Sequence, residues 1–456
     1  MKLKNKMILM FISVFTLSST AQQPPLYIAD SLQKYLDNFL THDTIPGGIV
    51  AVQHRANNWK WMGQSGLANI NTMQAADASF LFRIGSVSKN FMAATILHLA
   101  DRGILSLNDT IEKWLSPTLT TNIQYSNQMT IKNLLDHTSG IYSFTNDSAF
   151  LLALLTNPNA SFTPDQLINI ALSHPPSFTP NNNWYYNNTG YVLLTKIVES
   201  ATGITYAQYA TDSILIPCGM TNSYFPNSNI IAGNHMRCYA DYDNDNVLED
   251  YTDVTTTWAI GSGEIVSDLN DLLKYYNRLI DGQIITTSAY TEMRTPFYPS
   301  PTFTYGLGMF ILDSTLVGHS GDYFSTTGLW YFEDLDVMVT YQFNIFHVDA
   351  YYQLLKKIHT LLSSTTASLH EKGRLSLISI SPNPFSSQTV LRANILLHNA
   401  TLTVYNYYGQ TVKQIKNISG ETITISRDNL ENGLYFISLT QDNKVFSTGK
   451  LVITDR

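Results

Sequence analysis

From about residue 25 to 362 the chain mixes two hydrophobic patterns. Short β-branched and aromatic runs, "GGIVAVQH" (47–54) and "DVMVTYQFNIF" (336–346), read as strands. Longer apolar runs at 91–100, 191–200 and 351–362 read as helices, and "YIADSLQKYLDNFL" (27–40) as an amphipathic surface helix. At residue 363 the pattern breaks. Residues 363–375 lie in "SSTTASLHEKGRLS", a Ser/Thr-rich stretch that predicts a linker. Beyond it, residues 376–456 carry brief alternating runs separated by turn residues, which predict a small C-terminal β-sandwich.

The first residues, "MKLKNKMILMFISVFTLSSTAQQ", combine Lys2, Lys4 and Lys6, an apolar run from Met7 to Leu17, and a small-residue site at Ser19-Thr20-Ala21. That order predicts a signal peptide over residues 1–21 and export of the rest; the run is too short for a membrane span. No later stretch reads as a transmembrane helix. Export would put Cys218 and Cys238 where a bridge can form, but two cysteines are not a disulfide framework. A net charge of −8 with no long basic patch excludes an electrostatic nucleic-acid binder.

The chemistry starts from S-x-x-K, which occurs three times: Ser31/Lys34, Ser86/Lys89 and Ser447/Lys450. On a helix residues i and i+3 share a face, so Lys89 can reach Ser86. Only Ser86 heads a nearly all-apolar run, with Val87, Phe91, Met92, Ile96 and Leu97, and Gly103 as a stop. A buried helix start desolvates the lysine, making it a base, and its N–H groups favour an oxyanion. Ser31/Lys34 lies on the surface-type helix and Ser447/Lys450 in the tail.

Y-x-N recurs too, at Tyr125, Tyr186, Tyr242 and Tyr275. Tyr186-Asn187-Asn188 alone opens into an apolar helix, "NTGYVLL" (188–194). A phenol can pass a proton, and the Asn188 amide offers a donor and an acceptor. The third piece, "GHSGDYFSTTG" (318–328), sets His319, Ser320 and Gly321 on an extended Gly-containing strand before Asp322.

In order and context these three pieces resemble the penicillin-recognising serine hydrolases of the class C β-lactamase and D,D-peptidase type. "LLDHTSGI" (134–141), "AIGSGEIVSDLNDLLKYYN" (259–277) and "YGLGMFI" (305–311) match as well, so the resemblance spans roughly residues 30–362. It implies an α/β (α+β) fold: an antiparallel sheet flanked by helices plus a mostly helical subdomain, over a domain taken as 22–362. It implies that Ser86 is acylated and that Lys89 and Tyr186 share the acid and base work. Asn188 would hold the acyl-side amide. His319, Ser320 and Gly321 would face the substrate's carboxylate end, and the backbone N–H groups of Ser86 and Asp322 would form the oxyanion hole. His319 stands where the lactamases proper carry Lys. A histidine of ordinary pKa, ~6.5, is only partly charged at neutral pH, so carboxylate binding should weaken as pH rises.

The expected function is therefore a secreted serine hydrolase of peptides, esters or lactams, D,D-carboxypeptidase-like or esterase-like. Class C-type β-lactamase is the alternative within the class; a non-catalytic penicillin-binding sensor or cell-wall-binding protein is the rival outside it. No cofactor or metal is expected: "DYDNDNVLED" (241–250) spaces acids like a calcium loop but lacks the turn Gly and the closing Glu. His137 is read as shaping a turn at the site's edge. The tail, with Pro382-Asn383-Pro384-Phe385, "VYNYYGQ", "NGLYFISL" and "GKLVI", resembles the C-terminal sorting domain of type IX secretion cargo. That implies handling by the secretion machinery and passage through periplasm and outer membrane to the cell surface or medium.

Overall fold

The computed structural model describes residues 21–242, 245–296, 298–299, 304–313, 315–346, 350–373, 378–406, 410–441 and 444–455. The predicted signal peptide lies outside these except for Ala21, as do residues 374 and 375 of the predicted linker. Two compact units divide between Leu361 and Leu362.

The first unit is built on an antiparallel sheet. Its strands run in the order Gln74–Ala75, Trp59–Asn69, Gly47–His54, Val337–Phe343, Thr326–Phe332, Leu316–Asp322, Phe310–Leu312, Thr304–Tyr305 and Tyr298–Pro299. Every residue of Val337–Phe343 is buried, because helices cover both faces of this central strand. Alternation divides the side chains. Phe343 packs on Phe39 of the helix Leu26–His42, ring centroids 4.9 Å apart, and Trp330 and Tyr341 pack on Tyr351. On the other face Tyr331 meets Tyr276 of the helix Leu269–Ile280 at 6.2 Å. The helix Leu26–His42 buries Ile28, Leu32, Leu36 and Leu40 at four-residue spacing, the stripe its sequence predicts.

The expected helical subdomain lies between the sheet's first and last strands. Its helices include Ile131–Leu135, Ser148–Thr156, Pro164–Leu172 and Thr189–Thr202. Thr130 and Thr163 close capping boxes and Asp147 caps the third start; each such cap stabilises its helix by ~1 kcal/mol. The buried helix Ser88–Asp101 runs through the middle of this region, with no polar face for solvent until its last turn.

One expectation changes. The last helix spans Tyr351–Gly373, so residues 363–373 are helical rather than an irregular linker. Ser and Thr lower helix propensity only slightly, and neither Pro nor Gly interrupts the run before Gly373. Cys218 and Cys238, whose pairing the sequence left open, are buried free thiols. Burial pushes them up to about 12 and about 11 respectively, away from reactive thiolates. The second unit is β-rich, as expected: Ile378–Ser381, Gln388–Tyr405, Thr411–Ser426, Gly433–Gln441 and Lys444–Ile453 join through one network of strand pairs. The long strand Gln388–Tyr405 pairs with different partners at its two ends, and register shifts between Arg392 and Leu402 let it change course. Leu391, Leu402, Ile425, Ile437 and Leu451 form this unit's own core. Between the paired strands Tyr239–Ala240 and Glu249–Asp250 of the first unit, both Asp241 carboxylate oxygens accept backbone N–H bonds, from Asp245 and Asn246. Asp243 lies outside the described residues.

Candidate active site

Ser86 sits in a 3-10 turn, Gly85–Val87, that runs directly into the helix Ser88–Asp101. Gly85 has φ +51, and a Cβ there would meet the backbone N of Asp322 at 2.8 Å. Gly321 fits as closely from the other side: a Cβ on it would meet the Ile84 carbonyl oxygen at 2.1 Å and the Ser86 backbone N at 2.9 Å. The two glycines let the strand Leu316–Asp322 lie directly against the serine turn. Thr327 ties them together, donating from Oγ1 to the carbonyls of Ile84 and Gly321, both at 2.8 Å. The backbones of Ser86 and Asp322 thus lie close together.

Lys89 is fully buried, one helical turn from Ser86. Its Nζ donates to Ser86 Oγ at 3.0 Å and to the Ser262 carbonyl at 3.1 Å. The rings of Tyr186 and Tyr191 stand 4.7 and 5.3 Å from it. Burial holds the ammonium well below its ordinary pKa, with the Asp322 carboxylate pulling only partly the other way. Ser86 itself is half-buried and reaches a cavity.

The Tyr186 hydroxyl is buried and forms no hydrogen bond of ordinary geometry, although part of its ring is open. Burial raises the phenol's pKa; the nearby Ser86 hydroxyl offsets only part of that push. The phenol therefore keeps its proton. His137 supports it from behind, ring centroids 4.4 Å apart, and accepts the Asn187 N–H at Nδ1. This is the edge-shaping role read from the sequence, at φ +66. Asn188 precedes the helix Thr189–Thr202; its side chain donates to Thr145 Oγ1 at 3.1 Å, and its backbone N–H to Ser143 Oγ at 3.0 Å.

His319 is where expectation and structure part. It is buried, 1% exposed, and stands outside the cavity wall with Ser320 and Gly321. Its Nδ1 faces the Ser320 carbonyl and so must carry the proton; Nε2 then accepts from the Tyr305 hydroxyl at 2.9 Å. Burial, helped by Lys89, lowers its pKa to about 3. The predicted, partly charged carboxylate anchor is a neutral side chain locked into the strand. Ser320 is half-buried beside it, and Gly321 serves the close approach to the serine turn instead.

The cavity at Ser86 has a volume of about 420 Å³. Ser86, Tyr186, Asn188, Thr145 and Ser262 form its polar end, and Phe150, Leu154, Tyr242, Trp258 and Phe324 much of the rest. Among the described residues that line it, Asp322 alone carries a formal charge. Several of these the sequence reading missed. Ser262, Tyr191 and Tyr305 lie inside matched segments, but their roles depend on long-range contacts. Thr145 and the helix Ser148–Thr156 carry no local signal for a site.

The likeness to known proteins covers both units. Residues 32–359 match the Beta-lactamase family, and residues 379–454 match the Secretion system C-terminal sorting domain. Penicillin-binding protein 4* of Bacillus subtilis (strain 168) is 29% identical over 300 residues, which is 60% of this chain and 63% of the relative. Protein flp of Staphylococcus aureus (strain N315) is 29% identical over 208 residues, 44% of this chain and 40% of that protein. The chain thus spans less than two thirds of the length of either relative. Among solved structures, a D-stereospecific amidohydrolase from Streptomyces sp. shares 27% identity at TM-score 0.66, covering 72% of this chain and 97% of that one. D-amino acid amidase from Ochrobactrum anthropi SV3, at 22% identity, shares the fold with TM-score 0.66 over 75% of this chain and 99% of its own.

Proposed function

Because the chain belongs to the beta-lactamase family, we propose that it is an exported serine hydrolase working through an acyl-enzyme on Ser86. The observation that carries this reading is the buried Lys89 amine, 3.0 Å from the half-buried Ser86 hydroxyl. Neutral Lys89 takes the Ser86 proton as Oγ bonds to the substrate carbonyl carbon. The Ser86 and Asp322 backbone N–H groups receive the oxyanion. The Tyr186 phenol hands a proton to the leaving nitrogen or oxygen as its bond to carbon breaks, and is restored from Lys89. Water then releases the acyl group by the same steps in reverse order. Asn188 orients the acyl side.

Esters and amides fit this site better than carboxylate-ended peptides or lactams. A substrate carboxylate would find no cation among the described lining residues, and the buried neutral His319 offers none. The Streptomyces amidohydrolase favours aminoacyl amides of D configuration as one substrate group to assay. The sorting domain supports export by the type IX route to the surface or medium. Among the described residues no helix is long and apolar enough to cross a membrane. Turnover of p-nitrophenyl esters and of D- and L-phenylalanine amide, with benzylpenicillin in parallel, tests the reading. Ester or amide hydrolysis that Ser86→Ala abolishes supports it; hydrolysis that survives the substitution sinks it.

A further inference from the structure

We propose that the substrate carries a long apolar acyl chain, which runs from Ser86 between the helix Ser148–Thr156 and an aromatic wall; this rests on the acyl-enzyme reading above.

The helix, "SAFLLALLT", has no polar face. Phe150 and Leu154 are buried at 3% and 4% exposure, whereas Leu151, Leu152 and Leu155 remain 42%, 63% and 36% exposed. A surface helix ordinarily turns polar residues to water. Here Leu151 and Leu155, one turn apart, both line the cavity, so its wall continues outward as an exposed apolar stripe. The helix start is anchored. Asp147 accepts the Phe150 N–H at 2.7 Å and is itself held by His174 Nε2 at 2.8 Å.

The facing wall is aromatic and equally fixed. Phe324 stacks on Tyr251 at 4.7 Å and Trp258 on Tyr323 at 5.5 Å, while the Tyr323 hydroxyl donates to the carbonyls of Val254 and Thr255. Hydrogen-bonding groups gather at the Ser86 end. Thr145, which holds Asn188 on the acyl side, lies just before the helix in sequence, so the stripe extends from the acyl half of the site. At about 420 Å³ the cavity is within the ~300–1,000 Å³ range that encloses small ligands. A polar or charged acyl group there would lose water without gaining partners. An alkyl or aryl chain would gain about fourfold in kcat/KM for each methylene it buries.

The test uses the full chain and p-nitrophenyl acetate, butyrate and octanoate below their micelle concentrations. The expected ratio of kcat/KM for octanoate over acetate is on the order of 100, from burying roughly half of the added methylenes. Replacing the two partly exposed leucines, Leu151→Ser with Leu155→Ser, should lower that ratio at least tenfold. A ratio near one, or one the double substitution leaves unchanged, overturns the proposal. Labelling of Ser86 by a small fluorophosphonate, read as intact mass, separates the two levels. A labelled Ser86 with a flat chain-length series refutes the acyl-chain inference alone; an unlabelled Ser86 refutes the acyl-enzyme reading and the inference with it.

Discussion

Nζ of Lys89 stands 3.0 Å from Oγ of Ser86 while the lysine side chain is wholly buried. Close approach to a serine is common; complete loss of water is not, and it favours the neutral amine that the proposed mechanism needs. Lys89→Met should lower kcat/KM for ester and amide substrates by ~10²–10⁴-fold, the usual contribution of a positioned base. Initial rates on the folded variant decide this, and a loss below threefold would speak against it.

The same burial sets a pH dependence. Lys89 acts as base only when unprotonated, and its pKa lies well below 10.5. Activity should therefore set in at lower pH than an ordinary lysine base would allow, and fall on the acid side as the amine gains its proton. Tyr186 shifts upward, so it adds no alkaline limb in the ordinary range. A pH profile of kcat/KM that rises steadily to pH 10 would contradict this.

Tyr186→Phe removes the proton for the leaving group. A p-nitrophenolate leaves without one, whereas an amide nitrogen must be protonated. Amide turnover should fall at least ten times further than p-nitrophenyl ester turnover. Equal losses on both substrates would show that Tyr186 does something else.

His319 gives a test of stability. Folded, its pKa is about 3; unfolded, it returns to 6.5. Between those values the unfolded chain binds the proton and the folded chain does not, so this contribution is present above pH 6.5 and is lost as pH falls toward 3. In His319→Gln the decline in unfolding free energy across that window should be shallower than in the wild type. Parallel urea-unfolding curves would refute the assignment of a neutral, buried imidazole.

Gly321→Ala should displace the nucleophile without touching it. The added methyl would press on the Ile84 carbonyl and the Ser86 N–H. Removing one oxyanion donor costs ~10²–10³-fold, and a loss of that order in kcat with a folded far-UV spectrum is the expected outcome. Near-normal kcat would mean that the strand and the serine turn can separate freely.

Most of the fold was legible where one element reports on its own environment. The stripe Ile28, Leu32, Leu36 and Leu40 follows from periodicity, and the strand Val337–Phe343 from its β-branched and aromatic run. The approach of Lys89 to Ser86 was legible because their spacing and the apolar run that follows lie in one continuous turn and helix. His319 was not. Its motif position is visible in sequence, but its burial and its Tyr305 partner depend on the neighbouring strands Thr304–Tyr305 and Phe310–Leu312. The end of the last helix was missed because Ser and Thr mark linkers only on average. The leucine-lined cavity wall was invisible, since a short apolar helix carries the same pattern whether it faces a core or a substrate.

Intact mass of the full chain after exposure to a small fluorophosphonate, beside Ser86→Ala, tests the central claim most directly. The account predicts one covalent adduct on the wild type and none on the variant. An adduct that persists in Ser86→Ala, or its absence from the folded wild-type chain, would contradict Ser86 as the activated nucleophile.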